Sequence, residues 1–126
     1  MSGFSFDSNI IIDALTGYAP ARAEIDRATD FDARAWISRV VWIEIMSKGE
    51  GEGLRRAETM LSGFGVDELD VEIGRRAAAL RRERRSLQAM DAIILATAQT
   101  RGRVLITRNT TDFPAAMPGI RVPYTL

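Results

Sequence analysis

The sequence predicts an α/β domain, a three-layer sandwich around a mainly parallel sheet of about five strands. Short apolar segments alternate along the chain with longer segments of helical periodicity, and this alternation is typical of parallel sheets. Right-handed crossovers between parallel strands place helices on both faces of such a sheet. The chain has 126 residues and contains no repeat or linker, so we expect residues 1–126 to form a single domain.

Five segments are expected to form strands, namely residues 4–7, 35–38, 66–69, 103–107 and 120–124. The fourth segment contains Val-Leu-Ile, a short apolar run typical of a central parallel strand. The fifth is expected at an edge of the sheet, because Pro123 has no amide proton to donate to a neighbouring strand.

Six segments are expected to form helices, namely residues 9–15, 20–29, 39–48, 53–63, 71–83 and 91–101. Ser38 is a candidate N-cap for the third helix, and Gly49 follows its expected end. In the fourth helix, Leu54, Ala57 and Leu61 recur at helical spacing. The sixth helix is apolar on most of its faces, so we expect it to be well buried.

The composition limits the chemistry that this chain can perform. It contains no Cys and no His, which excludes disulfides, thiol nucleophiles and metal sites built from thiolate or imidazole. Catalysis must then rely on carboxylates, which favour hard cations such as Mg²⁺, with Mn²⁺ also suited. No apolar run approaches the roughly 18 residues of a membrane span, and the N-terminus lacks a signal-peptide pattern. We therefore expect a cytoplasmic protein that does not contact a membrane.

Four acidic residues are expected to meet beyond the carboxyl ends of the strands, where open parallel sheets bind ligands. Asp7 closes the first strand, and Asp112 lies in the loop after the fourth. Asp91 opens a helix that starts from the same edge, and Glu44 lies within about two turns of the start of another helix. Four carboxylates close together repel one another, so we predict that one or two divalent cations bind between them.

Each of these acids also has a purely structural interpretation, which the sequence leaves open. Asp7 and Asp91 could cap helices, and Asp112 could belong to a turn. Glu44 could point into solvent, although a carboxylate within Val-Val-Trp-Ile-Glu-Ile-Met is costly if it is buried without a partner. One shared site explains all four acids together, whereas the structural roles require four separate explanations.

The segments that contain these acids resemble the motifs of PIN-domain nucleases. FDSNIIIDAL resembles the family's opening Asp-Thr-Asn-apolar motif, with Ser8 in place of Thr. ISRVVWIEIM and MDAIILATA are similar to the second and third motifs, with Glu44 and Asp91 as their acids. LITRNTTDF resembles the Thr-Arg-Asn-x-x-Asp-Phe motif, with Asp112 as its acid. The order and spacing of the motifs agree along nearly the whole chain.

The resemblance implies a PIN-like fold and an Mg²⁺- or Mn²⁺-dependent endoribonuclease, nearest in size to the small VapC-type toxins. By motif position, Asp7 and Asp91 would be the core metal ligands, and Glu44 and Asp112 would complete the acidic pocket. The polar supports of the site would be Asn9, Thr107 and Asn109. The resemblance also implies hydrolysis of RNA by water to 5′-phosphate and 3′-hydroxyl ends, restraint by a cognate VapB-type antitoxin, and a homodimer.

The arginine-rich segment GRRAAALRRERRSL contains a candidate RNA contact. If Ile73, Ala77 and Leu80 point inward from a helix, Arg82 and Arg85 fall on other parts of its surface. These two arginines could bind the RNA backbone. They could instead form a solvated surface whose positive charge stabilises the C-terminus of the helix, and the sequence leaves both interpretations open.

Three other functions are less compatible with the sequence. A phospho-acceptor signalling domain needs a Lys at the end of a late strand, where this chain has Thr107-Arg108. An aspartate-nucleophile phosphatase needs Asp-x-Asp, where this chain has Asp7-Ser8-Asn9. The third is a catalytically idle PIN-like binding module that acts through protein or RNA contacts, and the presence of all four acids argues against it.

Overall fold

The computed structural model describes residues 3–30 and 35–126, which form an α/β fold. The strands are β1 (Phe4–Phe6), β2 (Ala35–Ser38), β3 (Gly65–Asp67), β4 (Val104–Ile106) and β5 (Ile120–Arg121). The helices are α1 (Ser8–Leu15), α2 (Ala19–Asp30), α3 (Arg39–Met46), α4 (Gly51–Leu61), α5 (Val71–Glu83) and α6 (Ala89–Arg101). The predicted fold class is confirmed, since five parallel strands alternate with helices.

The strand order creates a crevice at the centre of the sheet. The strands lie in the order β3-β2-β1-β4-β5, and every neighbouring pair is parallel. From β1 the chain proceeds to β2 and β3 on one side, and later to β4 and β5 on the other. The order therefore reverses at β1, and the space beyond the carboxyl ends of β1 and β4 is where such sheets bind ligands.

The core lies between the sheet and its helices. Its fully buried strand side chains include Phe6, Ile37, Leu105 and Ile106. The predicted burial of α6 is confirmed, because residues 94–98 are all buried. Removal of this apolar surface from water supplies most of the driving force for folding. None of the helices in the described part of the chain is long and apolar enough to cross a bilayer.

Two central strands end one residue earlier than predicted, and this places polar side chains at the crevice. β1 ends at Phe6 and β4 ends at Ile106, so Asp7 and Thr107 are the first residues beyond them. The amide of Asp7 still donates to the carbonyl of Ile106 at 2.9 Å. The chain leaves the β1 ladder at Asp7 because this residue caps α1.

The predicted third strand was wrong in its bounds. β3 starts at Gly65 rather than Val66, and Leu69 lies beyond its end with 49% of its surface exposed. Gly65 pairs with Trp36 of β2, and a Cβ atom at Gly65 would lie only 2.5 Å from the indole ring of Trp36. The missing side chain of Gly65 therefore makes room for the indole on the neighbouring strand.

Several further element ends differ from the prediction by one to three residues; α4 spans Gly51–Leu61 rather than residues 53–63, and α6 begins at Ala89 rather than at residue 91. β5 is at the edge of the sheet as expected, but it ends at Arg121 instead of reaching Tyr124. α3 has the predicted N-cap, because the Ser38 hydroxyl accepts from the amide of Val40 at 3.2 Å. This helix ends at Met46, two residues before the predicted end, and the chain then turns through Gly49 with a φ of 76°, a conformation that favours glycine.

Candidate active site

Asp7 is a buried carboxylate at the carboxyl end of β1. Its oxygens accept hydrogen bonds from the amide of Ser8 at 2.8 Å, the hydroxyl of Thr107 at 2.7 Å and the side-chain amide of Asn9 at 3.3 Å. Burial raises the pKa of Asp7 above its ordinary value, and repulsion by Asp112 adds to this. The three hydrogen bonds oppose the shift, because they favour the charged form.

Asp7 therefore combines two roles that the sequence left as alternatives. It is the N-cap of α1, as the structural interpretation predicted. It also lies at the ligand-binding edge of the sheet, where the metal-site interpretation expected it. The capping bond from the amide of Ser8 reaches Oδ1 only. Oδ2 accepts from Asn9 and Thr107 instead, so the cap does not occupy the whole carboxylate.

The three predicted polar supports connect the ends of β1 and β4. The Thr107 hydroxyl donates to Asp7 and accepts from the amide of Asn109 at 3.0 Å. The side-chain amide of Asn9 lies 3.4 Å from this hydroxyl, and its oxygen accepts from the amide of Arg108 at 3.3 Å. The β4 loop is thus attached directly to the first turn of α1.

Asp112 lies in the loop after β4, as predicted. Its Oδ2 accepts from the side-chain amide of Asn109 at 2.9 Å, and its own amide donates to the Asn109 oxygen at 3.2 Å. These reciprocal bonds close a turn, so the structural interpretation of Asp112 is also correct. In this turn, Oδ2 of Asp112 faces Asn109, whereas Oδ1 faces Arg84, which follows α5.

Asp91 lies in the first turn of α6 and is half-buried. Burial, followed by repulsion from Asp112 and Asp7, raises its pKa from 3.8 to about 6. Hydrogen bonding with the Asp112 carboxyl and repulsion by Glu44 act in the same direction. The negative charges of all three other predicted acids therefore raise the pKa of Asp91.

Glu44 lies on α3 and is also half-buried. Burial raises its pKa, repulsion by Asp7 raises it further, and Lys48 and Ser8 act in the opposite direction. Its buried Oε1 has no hydrogen-bond partner among the described residues. A buried carboxylate oxygen without a partner is costly. Oε1 of Glu44 is therefore available to accept a hydrogen bond from a ligand near Asp7.

The four acids affect one another's charge, but they do not form a ready-made ligand cluster. Repulsion couples Asp91 to the other three, and it couples Asp7 to both Asp112 and Glu44. Within residues 3–30 and 35–126, however, no three acidic side chains are arranged so that they could together hold one metal ion. The acids share one edge of the sheet, while Asp7 and Asp112 are bound to hydrogen-bond partners of their own.

The candidate RNA-binding arginines lie at the other end of α5 from its N-cap. Arg82 and Arg85 are exposed, and together with Ala78 and Arg81 they line an open cavity of about 250 Å³. The Nε atom of Arg81 donates to the carbonyl of Leu87 at 3.0 Å, which fixes one wall of this cavity. The cavity has the positive charge that a phosphate group requires.

Two arginine contacts near the site were not predicted from the sequence. Arg84 donates from Nη2 to the carbonyl of Asp112 at 2.6 Å. Arg108 forms two bonds to the carboxylate of Asp13, at 2.6 and 3.0 Å, and Tyr124 donates to the same carboxylate at 2.7 Å. Nothing in the sequence singles out Arg84 among the neighbouring arginines, because the contact depends on the position of a loop 28 residues away.

Comparison with known proteins agrees with this fold. The family model described as PIN domain matches residues 5–116. The match begins within β1 and includes β2, β3, β4 and all six helices, so it contains all four predicted acids. No curated protein matches the chain.

Several solved structures are similar to the chain over almost its whole length. A chain of a toxin–antitoxin complex from Klebsiella pneumoniae is 37% identical, with a TM-score of 0.87, and the match covers 98% of this chain and 100% of that one. A chain of the DNA-bound VapBC from Salmonella typhimurium is 25% identical, with a TM-score of 0.76 and 96% of each chain covered. FitAcB from Neisseria gonorrhoeae, at 20% identity, a TM-score of 0.79 and coverage of 98% and 99%, shows likeness of fold alone.

Proposed function

Because the chain belongs to the PIN domain family, we propose that it is an endoribonuclease that depends on Mg²⁺ or Mn²⁺. The observation that supports this most strongly is the electrostatic coupling of Asp7, Glu44, Asp91 and Asp112. Carboxylates that raise one another's pKa gain free energy when a divalent cation neutralises them. The alternative is a catalytically idle module of the same fold.

The residues at the crevice fit a hard divalent cation. Mg²⁺ is usually bound through one or two carboxylates and keeps several of its own waters, so it does not require three acids around one point. In the proposed site, Asp7 and Asp91 bind the cation directly, and Asp112 and Glu44 complete the pocket. The unpartnered Oε1 of Glu44 offers an acceptor for a water of the cation.

The bound cation would activate a water molecule and stabilise the charge that develops on the phosphodiester. The protein's own residues prepare the site for it. Thr107 and Asn9 donate to Asp7 and favour its ionised form. Asn109 holds one oxygen of Asp112. Because the chain has no His and no Cys, a carboxylate is the only common general base left to accept a proton near neutral pH.

The test is cleavage of an unstructured RNA by the purified protein with Mg²⁺ or Mn²⁺, and with EDTA. We expect cleavage that EDTA abolishes and that leaves 5′-phosphate and 3′-hydroxyl ends. Asp7→Asn and Asp91→Asn should each lose at least about a hundredfold in rate, because replacement of residues that only orient metal ligands already costs about 10- to 100-fold. Asp26→Asn, which neutralises an exposed acid of α2, should cleave like the parent. Failure of the parent to cleave any RNA with either metal would favour the idle binding module.

We further propose that this nuclease is the toxin of a toxin–antitoxin pair and that its partner is a VapB-type antitoxin. The similarity to chains of toxin–antitoxin complexes supports this. The substrate would be cellular RNA in the cytoplasm, and the active toxin would be a homodimer. Sedimentation of the purified chain should give twice its 13.9 kDa mass, and a monomer at micromolar concentration would contradict the dimer.

An apolar groove between α1, α3 and α4 is the proposed seat of the antitoxin. It has a volume of about 300 Å³, and its walls include Ile12, Leu15, Ile45 and Ala57. Lys48 and Arg56 also line it, so the segment that binds there should combine apolar side chains with acidic ones. A Cβ atom at Gly53, another residue of the groove, would meet no atom of the chain within 4 Å.

Gly53 therefore allows the groove to be filled without disturbing the fold. We expect Gly53→Leu to fold normally and to bind its VapB-type antitoxin at least about tenfold more weakly, because a wrongly filled pocket costs more than about 1.4 kcal/mol. Gly74→Leu is the matched control, since Gly74 lies in α5 and also has nothing within 4 Å of its Cβ position. Equal binding by the two variants would remove the groove as the seat.

A further inference from the structure

Arg84 connects α5 to the loop that contains Asp112. It follows the last residue of α5 and has an extended backbone, with φ −138° and ψ 92°. This conformation directs the chain away from the helix axis. The guanidinium donates from Nη2 to the carbonyl of Asp112 at 2.6 Å and lies 3.7 Å from the carboxylate atom Oδ1. Both side chains remain about one-third exposed, at 34% and 28%.

The two oxygens of the Asp112 carboxylate thus face different residues. Oδ2 accepts from Asn109, which belongs to the same loop. Oδ1 faces Arg84, which belongs to a different element of the fold. Asn109 fixes the internal shape of the loop, whereas Arg84 fixes where the loop stands relative to α5 and to Asp91 in the next helix.

Two other arginines of this segment have different partners. Arg76 donates to Gln99 of α6, and Arg81 donates to the carbonyl of Leu87. Arg82 and Arg85 line the exposed basic cavity. Arg84 is therefore distinguished from them by a contact with one of the four acids.

We propose that Arg84 is a positioning residue that holds Asp112 in place and offsets part of the negative charge of the site. This inference rests on the proposed metal-dependent function. The two effects have opposite consequences. The positive charge of Arg84 weakens the attraction of the acids for a divalent cation. Its hydrogen bond to the carbonyl of Asp112, in contrast, keeps the loop in the geometry that cleavage requires. Loss of Arg84 should therefore tighten metal binding and slow cleavage.

The experiment titrates the purified protein with Mn²⁺ alone by calorimetry and follows amide hydrogen exchange in the loop. In Arg84→Gln we expect Mn²⁺ to bind roughly fivefold more tightly, because a unit positive charge is removed near the site. We also expect faster exchange at the amides of Asp112 and Phe113, which donate to Asn109. Cleavage should fall by about tenfold or more.

Two matched variants separate charge from contact. Arg84→Lys keeps the charge but loses the planar group, so its Mn²⁺ affinity should match the parent while its loop exchanges faster. Arg75→Gln removes a charge from an exposed position of α5 and should match the parent in all three measurements. A simple loss of stability in Arg84→Gln would instead weaken Mn²⁺ binding and cleavage together.

Unchanged or weaker Mn²⁺ binding by Arg84→Gln, or unchanged exchange in the loop, overturns the proposal. If the parent protein itself binds no Mn²⁺, the metal-dependent function fails first. Hydrogen exchange alone then tests whether Arg84 positions the loop, because protection of the Asp112 and Phe113 amides does not depend on a metal.

Discussion

The hydroxyl of Thr107 donates a 2.7 Å hydrogen bond to the carboxylate of Asp7, although the two residues lie 100 positions apart in the chain. Each is the first residue beyond a central strand, and the strands pair Phe6 with Ile106 immediately before them. The register of the sheet therefore brings the two side chains to the same level. Among the hydrogen bonds that lower the pKa of Asp7, the one from Thr107 has the largest effect.

Replacement of Thr107 by valine should weaken metal binding without creating a cavity in the core. Thr107→Val keeps the shape but removes the donor, so the pKa of Asp7 should rise and Mn²⁺ affinity at pH 7 should fall by about tenfold. The control is Thr97→Val, which removes a comparable buried hydroxyl that donates to the carbonyl of Ile93 in α6. Calorimetric titration of both variants checks this, and equal Mn²⁺ affinity for Thr107→Val and the parent would contradict it.

The raised pKa of Asp91 predicts a cost in stability when the metal is absent. The ordinary pKa of Asp91 is 3.8, and in the folded chain it is raised to about 6, so the folded state binds more protons than the unfolded state between these values. Ionisation of Asp91 therefore lowers the free energy of unfolding as the pH rises through this interval, and the full cost is present above pH 6.

Asp91→Asn should accordingly stabilise the metal-free protein at pH 7.5. The expected gain is about 1 kcal/mol, after allowance for solvent screening of this half-exposed group. The gain should shrink toward zero below about pH 3, where Asp91 is neutral in both states. Urea unfolding at the two pH values in EDTA measures it, and a variant that is less stable than the parent at pH 7.5 would be inconsistent with this electrostatic cost.

The sequence predicted the local parts of the site well, because these depend on residues close together in the chain. The capping position of Asp7, the turn at Asp112 and the helix after Ser38 all follow from short-range hydrogen bonds. The reversal of strand order at β1 follows less directly, since alternation of strands and helices alone does not fix which strands are neighbours. The sequence therefore predicted a mainly parallel sheet of about five strands, but not their order.

The contacts that the sequence did not predict are long-range ion pairs. Arg84 reaches Asp112, and Arg108 reaches Asp13, across 28 and 95 positions respectively. Arginine has a long flexible side chain and can pair with any carboxylate that folding brings within reach. Sixteen arginines in this chain offer too many combinations for a pattern to select one. The bounds of β3 were missed for a similar reason, because the fit of Gly65 against Trp36 involves two separate strands.

Gly65 should be intolerant of any side chain. In Gly65→Ala the new methyl group would overlap the ring of Trp36, with 2.5 Å between carbon atoms, and relief of this overlap should cost about 2 kcal/mol of unfolding free energy. Gly74→Ala is the matched control, because its methyl group meets nothing within 4 Å and its helical position favours alanine. Urea denaturation compares the two, and a Gly65→Ala variant as stable as the parent would show that the indole moves freely.

The most direct test of the proposed metal site is calorimetric titration of the metal-free protein with Mn²⁺ at pH 7.5, without RNA. The parent and Asp26→Asn should bind Mn²⁺ with equal affinity, whereas Asp7→Asn and Asp91→Asn should bind at least about tenfold more weakly, since each loses a charged ligand. Binding of Mn²⁺ by both of these variants as tightly as by the parent would contradict the assignment of the acidic crevice as the metal site.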